Sequence, residues 1–256
     1  MPDAKRPMVL ALAVACVVAA GAHAEEPKEP EKQWSAGVDL TYNSKYVWRG
    51  INVTNDPVFQ PSVTFAWKGL SLNVWGNMDL TNVNGNNDEF NELDFTLDYS
   101  GSVGKLGYSV GVIYYHFPNT PFPGTTELYG SLGLDVLLSP TLTVYADIDE
   151  ADGFYATLSV GHTFEDVVKF SELASMGIEA GASVGFADGD HNAYYFGVDD
   201  SGPVDVTVGV SFPIAVGEHV TVTPALNYSN LLDDDLADGV GRDSNFWAGV
   251  TLGFSF

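Results

Sequence analysis

From Asn245 to Phe256 the chain alternates without a break, with Phe246, Ala248, Val250, Leu252, Phe254 and Phe256 on one side and Asn245, Trp247, Gly249, Thr251, Gly253 and Ser255 on the other. Successive side chains of an extended strand point to opposite faces, so this segment has one apolar face and one wet face. Divided at its turn signals, the whole chain yields about twelve such segments. They are 34–44, 58–67, 70–80, 91–100, 106–116, 127–138, 141–149, 154–164, 177–186, 204–212, 220–229 and 245–256. The pattern predicts an all-β protein, a transmembrane antiparallel up-and-down β-barrel of about twelve strands, greasy outside and wet inside. The connections alternate in length as that topology requires. Segments 68–69, 101–105, 139–140 and 215–219 are tight and belong to the periplasm, whereas 45–57, 81–90, 117–126, 187–203 and 230–244 are long and lie outside. Two places strain the scheme. Residues 165–176 are too long for a tight turn, and Val167, Val168, Phe170, Leu173 and Ala174 predict a short amphipathic helix there. Residues 193–198 read as a further strand, which leaves ten or fourteen strands open.

The N-terminal portion departs from this alternation. Lys5 and Arg6 precede an apolar run from Met8 to Ala20, and Ala22-His23-Ala24 offers small residues where a signal peptidase reads. The expected organisation is a signal peptide over 1–24, a flexible periplasmic tail over 25–33 and an outer-membrane β-barrel over 34–256. Cys16 would leave with the signal, so the mature chain is expected to have no disulfide and no thiol chemistry. No helical apolar run of spanning length follows the signal, and a bilayer is therefore crossed by strands alone. The expected location is the outer membrane of a Gram-negative bacterium, among outer-membrane lipid and lipopolysaccharide. The aromatic C-terminal Phe256 presents the last strand to the barrel-assembly machinery.

Charge turns the architecture into a functional expectation. With apolar positions outward, the inward set contains Asp39, Asn73, Asn77, Asp79, Glu92, Asp94, Asp98, Glu127, Asp135, Asp147, Glu179 and Asp205, with Lys45 and Arg49 near the top of the first strand. The chain has 10 basic and 34 acidic residues, a formal net charge of -24, and the excess falls on the lumen and the outer loops. Low-dielectric walls focus such a field and enrich counter-ions, as rings of Asp and Glu do in cation channels. This lining predicts a porin-like channel for passive diffusion of small solutes, with a preference for cations. Inward residues of the later strands are small (Ser159, Gly181, Gly209), those of the earlier strands bulky (Trp75, Tyr115, Tyr129, Tyr145), so the passage is expected to be narrow or partly plugged. The same acids have a plainer reading, in which Glu92, Asp94 and Arg49 form a packed network that stiffens the wall.

The acidic outer loops suggest Ca²⁺ or Mg²⁺ at the rim, and Asp188-Gly189-Asp190-His191-Asn192 with Asp199 echoes a calcium loop, although Ala193 replaces its turn glycine and Asp199 its final Glu. No catalytic residues and no cofactor are assigned. Aromatic residues near strand ends, including Trp34, Tyr42, Tyr46, Trp48, Trp67 and Tyr99, are expected to anchor the barrel at the membrane interfaces. Hydrolysis of lipid or peptide needs a His within reach of a Ser or an acid. His162 lies on the lipid side with Ser159 on the opposite face, His116 has no nearby Ser, and Asp190-His191 sits in an acidic loop. The protein is therefore expected not to be an enzyme. A hydrolase, or a closed barrel serving as scaffold or adhesin, is the alternative. The charge excludes nucleic acid as a partner.

The run Asn43-Ser44-Lys45-Tyr46-Val47-Trp48-Arg49-Gly50, followed by Asp56-Pro57 and Gln60-Pro61, resembles the opening of the TorF family of outer-membrane porins. The resemblance covers the first two strands and rests chiefly on the Arg-Gly pair. It implies a small porin and leaves the solute unspecified.

Overall fold

The protein was analysed as a computed structural model that describes residues 33–85 and 87–256. The signal peptide and nearly all of the tail expected from the sequence lie outside the described residues. Twelve antiparallel strands close into a barrel. They are β1 (Trp34–Asn43), β4 (Val58–Trp67), β5 (Leu70–Asp79), β6 (Phe90–Val103), β7 (Leu106–His116), β8 (Thr125–Leu134), β9 (Thr141–Asp147), β10 (Phe154–Ser171), β11 (Ala174–Ala187), β12 (Gly202–Ser211), β14 (Val220–Leu231) and β15 (Ser244–Ser255). The short β13 (Ile214–Val216) resumes the path of β12 past Phe212-Pro213 and pairs with both β11 and β14. Each strand pairs with its sequence neighbour, and β1 meets β15 through Gly37↔Ser255 to Asn43↔Gly249 to close the cylinder. Closure leaves no edge along the wall, which is how a sheet removes its unpaired N–H and C=O groups.

The two-residue period sorts the faces. Phe65, Leu72, Leu97, Val110, Leu132 and Phe246 are each more than 40% exposed on the outside, while Ser62, Trp75, Asp98, Ser109, Tyr129 and Trp247 alternate with such residues and are buried within. Tight turns join strands at one end. The hairpin between β4 and β5 turns on Lys68 (φ 50°) and Gly69 (φ 86°), the pair of positive φ values that a type I′ turn requires and that matches strand twist.

Three insertions occupy the opposite end. The first connection folds back as a hairpin, β2 (Tyr46–Trp48) and β3 (Ile51–Thr54), whose tip is Arg49-Gly50. The connection after β11 carries helix α1 (Gly189–Phe196), and the one after β14 carries α2 (Asp234–Val240). Residues 193–198, expected to be a strand, thus belong mostly to a helix. Asp188 accepts a hydrogen bond from the His191 backbone N–H as N-cap, and Gly197 closes the helix in the left-handed conformation. Those caps outweigh the strand preference of Tyr194-Tyr195-Phe196. The segment 165–176, expected to be helical, is instead extended. Strands β10 and β11 run on past the barrel as a long hairpin that absorbs a register shift between Phe164 and Val168, with Asp166 at φ 50°. A continuing partner strand supplies backbone hydrogen bonds along the whole extension, and an isolated turn of helix has no such template.

Candidate functional site: the hairpin in the lumen

The hairpin tip crosses the barrel interior and touches strands all around it. Arg49 donates to both carboxylate oxygens of Glu127 on β8, at 2.7 and 2.8 Å. Its guanidinium lies 4.3 Å from the Trp48 ring centroid, 4.7 Å from that of Tyr145 and 4.3 Å from that of Tyr155. Asn245 on β15 donates to the Gly50 carbonyl at 3.2 Å. Gly50, at φ 82°, has room for no side chain, because a Cβ there would stand 2.5 Å from Leu231 of β14 and 3.0 Å from Asp205 of β12. Tyr46 stacks obliquely on Trp75 of β5 with ring centroids 5.6 Å apart and hydrogen-bonds Glu92 of β6. A planar guanidinium held in two hydrogen bonds and faced by three aromatic rings is fixed in orientation as well as position.

Helix α1 covers this tip. His191 is 1% exposed, with its ring 5.5 Å from Tyr155 and 4.7 Å from Tyr195, one nitrogen 3.4 Å from Arg49 Nη1 and the other 3.2 Å from Asn192 Oδ1. Burial, and then the neighbouring Arg49 charge, press the imidazole from its ordinary value down to about 4.

Most of the acids expected in the lumen are there, and most have dedicated donors. Asp79 accepts from Thr54, Asn77 and Asn84 at 2.8–3.2 Å. Asp98 accepts from the Tyr129 hydroxyl at 2.6 Å, and Glu127 from that of Tyr115 at 2.8 Å besides its Arg49 pair. Asp147 takes the Thr125 hydroxyl and the backbone N–H groups of Asp149, Glu150 and Ala151. Asp205 accepts from Tyr155 and Thr207, Glu179 from Ser211, and Asp39 pairs with Ser62 across β1 and β4. Asn73 donates to Thr64, while Asn77 also donates to Asn91 and accepts from Gln60. Asp94 differs: its Oδ1 is shut off from solvent and has no hydrogen-bond partner. The expected network of Glu92, Asp94 and Arg49 is thus redistributed, with Arg49 taken by Glu127.

Several expectations need correction. Strand β8 ends at Leu134, so Asp135 leaves the lumen wall for the tight turn, where it is exposed and its backbone N–H bonds the Lys105 carbonyl at 2.8 Å. Lys45, between β1 and β2, keeps its place near the top of the first strand, where burial and then the Arg242 charge lower its pKa. The calcium-loop echo is the capped start of α1, and among the described residues no group of three or more His, Cys, Asp or Glu is placed to hold a metal ion. Tyr46 and Trp48 are not interfacial anchors but pack inside, because the hairpin folds inward. Sequence reading did not name Tyr155, and it gave neither His191 nor Asn245 a place at the hairpin tip. Parity with Phe154 marks Tyr155 as inward, but no local signal places His191 beside Arg49, since 142 residues separate them.

In overall shape the chain is similar to several solved barrels. One is the NanC porin, at TM-score 0.48 and 13% identity over 86% of this chain and 98% of that one. Another is an outer-membrane channel from Pseudomonas putida F1, at TM-score 0.44 and 11% identity over 89% and 97%. A third is OprB of Pseudomonas putida, at TM-score 0.37 and 12% identity over 81% and 61%. Among curated proteins there is no match. The TorF likeness of the first two strands stays a resemblance carried by residues 43–61. Residues 24–225 fit the family described as "Bacterial protein of unknown function (Gcw_chp)", and the chain belongs to that family.

Proposed function

We propose that the protein is an outer-membrane channel through which small solutes diffuse passively, with a preference for cations. The observation that carries this reading is the closed barrel itself, with apolar side chains outward and a carboxylate-rich interior whose central basic group, Arg49, is already engaged by Glu127. An apolar outer wall of this kind is stable in a bilayer. The inserted hairpin narrows the passage at its outer half, so conductance is expected to be small. His191 has Arg49 and Asn192 at its two nitrogens rather than a nucleophile, which favours a channel over a hydrolase.

Planar-bilayer recording of the refolded barrel in a steep KCl gradient tests the reading. A reversal potential shifted toward that of K⁺ is expected, and it should move toward zero when Glu92 and Asp94 are both replaced by their amides. A potential that follows Cl⁻ would overturn the cation preference. A second reading, a closed structural barrel, is favoured by the same hairpin. Absence of conductance in the parent chain and in Arg49→Ala alike would select it.

A further inference from the structure

The lumen shows how it holds a cation of its own. Arg49 is gripped by one carboxylate and three ring faces. Beside it lies a second arrangement of the same ingredients. Asp94 sits directly across the sheet from Trp75 on β5 and from Tyr115 on β7, all three on the inward face. Glu92, two residues along the same strand and therefore on the same face, is bonded by Tyr46, whose ring leans on Trp75. No lysine or arginine among the described residues forms an ion pair with either acid, and Asp94 Oδ1 is buried without a hydrogen-bond partner. A buried carboxylate oxygen with no donor is costly and calls for a positively charged or hydrogen-bonding occupant.

We propose that Glu92 and Asp94, framed by Tyr46, Trp75 and Tyr115, bind the ammonium group of a small organic amine on its way through the barrel. The inference rests on the reading of the lumen as a solute passage and names the class of solute that the passage recognises. Two carboxylates offer too few oxygen ligands for a dehydrated divalent metal, whereas aromatic faces beside acids suit an alkylammonium, whose charge is diffuse and whose carbons are apolar.

Calorimetric titration of the refolded full barrel in detergent, at neutral pH and constant ionic strength, tests the site without requiring conduction. n-Butylammonium is the probe and n-butanol its uncharged counterpart. Saturable binding of one n-butylammonium, and none of n-butanol, is expected. Glu92→Gln and Asp94→Asn should each weaken it by about tenfold, the loss of one charge-assisted contact, and the double variant should abolish it. Trp75→Leu should weaken it with both acids intact, and Glu172→Gln, a remote acid on the β10–β11 turn, should leave it at the parent value. Failure of the parent barrel to bind n-butylammonium, or equal binding by the double variant, would overturn the site. A barrel that conducts cations but does not bind the probe loses the site and keeps the channel; one that binds the probe but never conducts loses the channel and keeps the site.

Discussion

Replacing Arg49 by alanine leaves the Glu127 carboxylate, whose side chain is 2% exposed, with the Tyr115 hydroxyl as its remaining donor. Removing one partner of a buried ion pair costs about 3–5 kcal/mol. Here the loss falls on docking of the hairpin rather than on the strands, because the β-ladders do not depend on it. Arg49→Ala is therefore expected to raise single-channel conductance while the barrel stays resistant to unfolding in detergent. Arg49→Lys should behave nearly like alanine, since an ammonium cannot bridge both Glu127 oxygens and lie flat against three rings. His191 adds a dependence on pH. Its imidazole is neutral when buried, with a pKa of about 4 against an ordinary value of about 6.5 when exposed. The docked arrangement then binds fewer protons than the released one, so its stability is complete above about pH 6.5 and declines as pH falls toward 4. Conductance should rise over that window, and His191→Gln should flatten the response. A profile unchanged by that substitution would remove His191 from the latch.

At the scale of elements, the hairpin that β10 and β11 extend beyond the wall is held by its own ladder and by three residues of β13. Excising 166–172 and rejoining the strands through an Asn-Gly turn is expected to leave the barrel folded, as judged by heat-modifiable migration on a gel. Strand β15 has the opposite character. It pairs with both β1 and β14, and closure of the cylinder depends on it. Phe256 is 54% exposed at its end, with its backbone bonded to Ala36 in both directions. The two helices were hidden for a reason these elements share. A seven- or eight-residue helix has too few turns to show a period, and α1 and α2 are specified by Asp188, Asp233, Gly197 and Gly241 at their ends.

For the molecule as a whole, the net charge of -24 overstates the field inside the lumen. Asp79, Asp98, Asp147 and Asp205 are each committed to two or more hydrogen bonds or to a tyrosine hydroxyl, and they hold the wall and the loops together. Neutralising Asp147 should release the turn at 149–151 and destabilise the barrel in urea titrations, with little effect on reversal potential. Neutralising Glu92 and Asp94 should do the reverse.

The alternation of apolar and polar residues was sufficient, by itself, to determine a barrel of about twelve strands, its two faces and the inward place of Glu92, Asp94, Asp98 and Glu127, because a period of two is a local property that pairing can only accept or slip; the choice among ten, twelve and fourteen strands came from the structure. It gave no warning that the first outer connection turns inward. Tyr46, Trp48 and Arg49 read as rim residues along the chain, and their burial depends on Glu127, Tyr145, Tyr155 and Asn245 arriving from strands far away in sequence. Only the closed cylinder brings those side chains around a single point, and only there does a guanidinium find enough partners to leave water.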